Sequence, residues 1–139
     1  MTESYTVKVL IINKDCVEYK LVEKSVWTYG IWEQYGEVHK LTMDGSNTSG
    51  MLRFLSPVGE YFAVAVGIHN YAPWSGVAVD LGAGQALQVV HKEYYSGGPR
   101  SSPTVENACA TSTRGTYVGV KFEQEPGKER AYIATLTLS

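Results

Sequence analysis

Between Tyr61 and Ile68 the chain reads YFAVAVGI, and its side chains alternate in size. Phe62, Val64, Val66 and Ile68 fall on one side of an extended backbone; Tyr61, Ala63, Ala65, Gly67 and His69 fall on the other. A helix would scatter these residues around its axis, whereas a strand sorts them into a bulky face and a small one. The bulky face suits an apolar core. The small face admits something close against it: another backbone, a helix or a second subunit. The same period recurs along the chain. In YTVKVLII, Tyr5, Val7, Val9 and Ile11 share a face opposite Thr6 and Lys8. VEYKLVEKSVWTY alternates with more interruptions. MLRFLS and YFAVAVGI flank a turn at Ser56-Pro57-Val58-Gly59, and TYVGVKF and RAYIATLTL flank another at Glu125-Pro126-Gly127-Lys128. Short strands at this spacing predict an all-β sandwich or barrel.

One region departs from the period. DLGAGQALQVVHKEYY, residues 80–95, is long for a loop and rich in Ala, Gln and Leu, which predicts a short helix in a crossover. SGGPRSSP, which follows it, reads as an irregular surface loop. No linker, low-complexity tract or repeat divides the chain, so residues 1–139 are expected to form a single domain with a core of its own.

Several function classes find no support. The formal net charge is -2, and the basic residues are scattered, so there is no footprint for nucleic acid or an anionic membrane. Cys16 and Cys109 form no CxxC pattern. They leave a disulfide open, but two free buried thiols are the simpler expectation. MTESYTVKVL lacks a secretory pattern, and no run reaches membrane-spanning length. A cytoplasmic or non-classically exported protein is expected, with the sequon at Asn47-Thr48-Ser49 idle. His39, His69 and His91 accompany no nucleophile elbow, paired-carboxylate motif or metal-ligand spacing. An enzyme is therefore not expected, and Glu33, Glu37 and Asp44 read as a solvated face.

Two stretches carry polar chemistry. The alternating strand runs into His69, Asn70 and Tyr71, then Pro73 and Trp74. Upstream, MDGSNTSG is a polar turn bracketed by glycines. Each alone is an ordinary strand end or hairpin connection. Together they would suit a sugar: its hydroxyls need fixed donors and acceptors, and its apolar face needs a flat wall.

The order LTMDGSNTSGMLRF, VAVGIHNYAPW, HKEYYSGGPR closely resembles the mushroom fruit-body lectins, and VEKSVW near the N-terminus looks similar too. The family pattern is a Gly-Ser-Gly-Thr-Ser-Gly turn, a Val-His-Asn-Tyr strand end, and a Tyr-Tyr pair before a loop arginine. The likeness is strongest over residues 21–100 and thins beyond. It implies an actinoporin-like β-sandwich with a short helical connection near residues 80–95, assembled as a homo-oligomer, a tetramer or a dimer. It also implies binding of glycans and glycoproteins that carry the T-antigen disaccharide, galactose linked β1,3 to N-acetylgalactosamine, and no catalysis. The actinoporin-like class also contains pore-forming proteins, the alternative reading; here the first strand starts at Tyr5 without a preceding amphipathic helix, so membrane insertion is not expected.

Carried over by position, Ser46 matches the serine of the family turn, and His69 and Asn70 match its His-Asn pair. Tyr29 and Gly30 stand where the family has an Ala-Asn-Gly-Gly stretch, in a chain that is shorter there. Asn47 and Asp44 replace family glycines. No cofactor is required by the sequence, but a carboxylate at Asp44 could take sugar hydroxyls or help hold a divalent cation such as Ca²⁺. Many family members have a second site, for N-acetylglucosamine. Its Trp-Cys-Asp-Ile-Val-Thr motif is here Trp74-Ser75-Gly76-Val77-Ala78-Val79. Gly76 and Val79 thus replace an aspartate and a threonine, and Arg100 keeps the loop arginine while its tyrosine partner falls near Ser112. That second site is expected to be absent or altered.

Overall fold

A computed structural model describes residues 4–14, 18–27, 30–45, 48–69, 71–95 and 105–139. Six strands form one sheet in the spatial order β3 (Gly30–Tyr35), β4 (Val38–Met43), β1 (Tyr5–Asn13), β10 (Ala131–Leu138), β9 (Tyr117–Gln124) and β8 (Cys109–Thr111). The second sheet has four, in the order β2 (Lys20–Trp27), β5 (Thr48–Leu55), β6 (Tyr61–His69) and β7 (Ala72–Leu81). Neighbours run antiparallel except β1 and β10, which are parallel. The architecture is the all-β, actinoporin-like sandwich expected from the sequence.

Period two decides which residues fill the space between the sheets. Val7 and Val9 of β1, Leu41 and Met43 of β4, and Leu136 and Leu138 of β10 point inward from one side. Phe54, Phe62, Val64, Val66 and Ile68 meet them from the other. Phe54 and Phe62 stack across the β5–β6 pair with ring centroids 5.4 Å apart. Burying each large side chain contributes roughly 1.5–3 kcal/mol, so this layer is the main source of stability.

The small face of β6 is covered by a helix, one of the occupants that the alternation left open. Helix α1 (Leu87–Lys92) sets Leu87 and Val90 against Met51, Ala63 and Ala65, and Tyr94 closes the same cluster. The helix is shorter than the segment from which it was expected: Asp80 and Leu81 still belong to β7. The loop expected over residues 96–103 lies outside the described residues. Cys109 is free and exposed on edge strand β8, which corrects the expectation that it is buried; Cys16 lies outside the described residues.

The approach to α1 hangs on one buried cation. Arg53 is 7% exposed and donates to Glu23 at 2.9 Å and to the carbonyls of Gly82 and Ala83 at 3.1 and 3.0 Å. Its guanidinium also lies over the Tyr61 ring, 4.4 Å from the centroid. Glu23 in turn accepts from the Leu87 N–H at 3.1 and 3.2 Å, serving the first turn of a helix whose N-cap has no side-chain bond. Replacing Arg53 by Ala should remove about 3 kcal/mol of stability, read as a lower urea midpoint, because two carbonyls and a carboxylate lose their donor together. Glu23→Gln, at a half-buried position that can still accept, should cost less than half as much.

Candidate functional site

The two polar stretches approach each other through strand pairing. β5 opens at Thr48 directly opposite Ile68, one residue before β6 ends at His69. His69 pairs with Ala72, so the β6–β7 connection is only two residues long. Tyr71 in that connection takes φ 63°, the left-handed conformation that such tight hairpins demand, and its ring is 70% exposed. On the facing sheet, Gly30 pairs with Met43 at the exit of β4, and Asp44 and Gly45 follow. Gly30, Asp44 and His69 therefore all stand at one end of the sandwich, with Asp44 and His69 exposed. Ser46, Asn47, Asn70 and Tyr29 lie outside the described residues; the strands that lead into them end here.

Gly30 is confined by its surroundings. A Cβ there would lie 2.9 Å from Val26 Cγ1, so the wall at this point stays low. Among the described residues, no three acidic, histidine or cysteine side chains gather to hold a metal ion, at Asp44 or elsewhere.

Directly behind this end lies a polar cluster that the sequence did not advertise. His91, 1% exposed, bridges two strands: Nδ1 meets Ser25 Oγ at 2.8 Å and Nε2 meets Ser49 Oγ at 2.7 Å. Ser49 Oγ also bonds the Tyr95 hydroxyl. The Tyr95 ring stacks on Trp27 at 4.2 Å with the planes 5° apart, and Trp74 meets it edge-on at 6.3 Å. Ser49 also faces Gly67 across the β5–β6 ladder, where an added Cβ would sit 2.5 Å from Ser49 Cβ and 2.7 Å from Trp74 Nε1. Only glycine fits at that place. A serine beside a histidine suggests nucleophilic chemistry, but here both ring nitrogens are occupied by hydroxyls, no carboxylate among the described residues orients the ring, and Ser25, Ser49 and His91 are buried. It is a brace. It ties β2, β5 and the end of α1 together behind the strand ends that carry Thr48 and His69.

The positions expected to be a degenerate second site are not brought together. Gly76 lies under Tyr94: a Cβ there would fall 2.4 Å from Tyr94 Cε1 and 2.7 Å from its hydroxyl. Val79 packs instead against the core between the sheets. Ser112, where the partner tyrosine was sought, is 8% exposed and donates to the Glu60 carboxylate. Arg100 lies outside the described residues.

Burial lowers the pKa of His91 from the ordinary 6.5 to about 4. Between those values the unfolded chain takes up a proton that the folded chain refuses, so this contribution to stability is complete above pH 6.5 and gone near pH 4. Unfolding free energy should fall by about 3 kcal/mol across that window from this group. Denaturant titrations of the parent and of His91→Gln at a series of pH values test it; the variant should show a flatter profile over the same range.

Comparison with known proteins gives consistent results. The sequence model of the fungal fruit body lectin family matches residues 3–132. Boletus edulis lectin, from Boletus edulis, is 40% identical over 126 residues, spanning 88% of this chain and 87% of that protein. Two crystal structures of Xerocomus chrysenteron lectin superpose with TM-scores of 0.91 and 0.89, each at 34% identity. They cover 100% and 99% of this chain, and 100% of the matched chain in both. The lipid-binding protein Nakanori superposes at a TM-score of 0.65 with 9% identity, over 97% of this chain and 71% of its own. That last likeness is one of fold alone.

Proposed function

Because the chain belongs to the fungal fruit body lectin family, a family of carbohydrate-binding proteins and not of enzymes, we propose that its glycan is of the galactose-β1,3-N-acetylgalactosamine type. The proposed site is the sandwich end that carries Gly30, Asp44 and His69, completed by Ser46, Asn47, Asn70 and Tyr29. The observation that supports it most is the β5–β6 register, Thr48 against Ile68, because it brings the turn before β5 and the exit of β6 to the same end.

In this reading recognition is reversible and rests on hydrogen bonds. Ser46, Asn70 and His69 bond the hydroxyls and acetamide of the N-acetylgalactosamine unit. A site shaped around an axial hydroxyl rejects the equatorial epimer, since its own polar groups would then lose their partners. One shallow site of this kind binds in the millimolar to micromolar range, about 4–8 kcal/mol. Avidity at a glycan-bearing surface then calls for several sites on one particle. A homo-oligomer, dimer or tetramer, is the proposed solution. Exposed Ile31 and Tyr35 on edge strand β3 are consistent with such a contact.

The second, N-acetylglucosamine-type site is proposed to be lost. Tyr94 fills the space over Gly76, and Val79 offers only a hydrocarbon directed into the core.

A glycan array followed by calorimetry tests both parts. The T-antigen disaccharide should bind, and His69→Ala should weaken it by about tenfold, equivalent to roughly 1.4 kcal/mol, while leaving the circular dichroism spectrum unchanged. Terminal N-acetylglucosamine should give no signal above background. Binding to that sugar that survives His69→Ala would overturn the proposed loss of the second site.

A further inference from the structure

An edge strand presents a row of unpaired N–H and C=O groups that another chain can join, so stable sheets guard their edges. In this sandwich the edge strands are β2, β7, β8 and β3. Three of them are guarded. β8 is only three residues long. β7 contains Pro73, and its Ser75 N–H donates to the Val105 carbonyl at 2.7 Å, so another segment already lies on that edge. β2 has a bulge between Leu21 and Glu23 and carries exposed Lys20 and Lys24. Its Ser25 carbonyl is also taken, by Trp32 Nε1 at 3.0 Å.

β3 has none of these devices. All six of its residues, Gly30 to Tyr35, pair in unbroken register with β4. The strand holds no bulge, proline or lysine, and among the described residues no strand lies on its other side. Ile31, Glu33 and Tyr35 alternate on its outward face, with Ile31 64% and Tyr35 56% exposed. The Tyr35 hydroxyl donates to Glu33 at 3.1 Å, and Glu33 stands opposite Lys40 on the β3–β4 ladder. A regular, unguarded edge with a large apolar residue near each end is what a strand-pairing partner requires, and a monomer would have no use for it.

We infer that β3 is the contact between two copies of this chain, paired antiparallel about a two-fold axis at Glu33, so that their six-stranded sheets run together as one. A second copy is the occupant because the strand complements itself in this register. Ile31 of each copy meets Tyr35 of the other, and both pairs join a β-branched residue to an aromatic ring. Glu33 alone meets its own kind, and Lys40 beside each carboxylate offsets that repulsion. A slip of one residue would set core-facing side chains against outward ones. A slip of two would place Ile31 against Glu33 or against nothing. Because a two-fold contact consumes both edges, the assembly closes instead of growing into a fibre. The inference gives a surface to the homo-oligomer proposed above, but it is argued from the strand edges and does not depend on the glycan.

Sedimentation velocity of the full chain tests the contact. Ile31→Lys, at an exposed position where folding should be undisturbed, should halve the particle mass. Val89→Lys, at an exposed apolar position on α1, and His69→Ala should leave the mass unchanged. Glu33→Gln should tighten association about threefold by removing the like-charge pair at the axis. The register is read by cross-linking in a background with Cys16→Ser and Cys109→Ser. Under mild oxidation Glu33→Cys should form a covalent dimer, Ile31→Cys alone should not, and Ile31→Cys mixed with Tyr35→Cys should. Ile31→Lys should also leave the calorimetric affinity for the T-antigen disaccharide unchanged per chain while lowering agglutination of cells that display it. If the disaccharide does not bind at all, the glycan reading falls and the mass measurements still decide the contact. A monomeric parent would overturn the inference together with the homo-oligomer. An oligomer that Ile31→Lys leaves intact, one that Val89→Lys dissociates instead, or a failure of Glu33→Cys to cross-link would overturn the inference alone.

Discussion

Strands β5 and β6 have almost no free face. Seven of the eight residues of β5, Thr48 to Phe54, are buried, and so are Phe62 to Ile68 of β6. The pair must therefore be covered twice, by the six-stranded sheet on one side and by α1 with Tyr94 on the other. That requirement sorts large residues to one face and Ala, Gly and Ser to the other. It also accounts for Arg53, the one charged residue in this buried stretch. It is tolerated because each contact it makes answers a carbonyl, a carboxylate or a ring.

Double coverage has a direct bearing on recognition. Ser49 and Gly67 sit at the last rungs of the β5–β6 ladder, and beneath them the His91 imidazole joins Ser25 to Ser49 while Tyr95 and Trp27 stack alongside. The strand ends that carry Thr48 and His69 thus project from a packed and fully hydrogen-bonded base. If the proposed glycan site lies there, it gains from such a base, because little ordering remains to be done on binding. At the opposite end the tie is ionic: Arg53 joins Glu23 to the carbonyls of Gly82 and Ala83, and Glu23 accepts from the Leu87 N–H.

Much of the fold could be read from the order of residues because period-two patterns are local. Phe62, Val64, Val66 and Ile68 face the core as their spacing required, and the turns at Gly59 and Gly127 take positive φ where glycine was present. The extent of α1 was less legible: Asp80 and Leu81 belong to β7, whose ladder with β6 is irregular near its end, and an irregular ladder leaves no clean alternation in the letters. Cys109 shows a different limit, since an edge strand exposes residues that would be buried in a central one. The His91 brace was invisible for a third reason. Its contacts span 66 and 42 positions, and a histidine in a helical stretch says nothing about which distant serines await it. The candidate glycan site was named by resemblance; Gly30, Asp44 and His69 are the members that the strand register gathers at one end.

The parallel pairing of β1 with β10 carries a further consequence, one of timing. Thr6 through Asn13 find half of their ladder in Ala131 through Leu138, so β1 waits for β10. During translation the larger sheet has no means of closing early, and β1 must remain unpaired on that edge, with Val7 and Val9 uncovered, while more than a hundred residues emerge. A topology that joins strands so distant in sequence exchanges rapid, local assembly for a set of contacts that closes late.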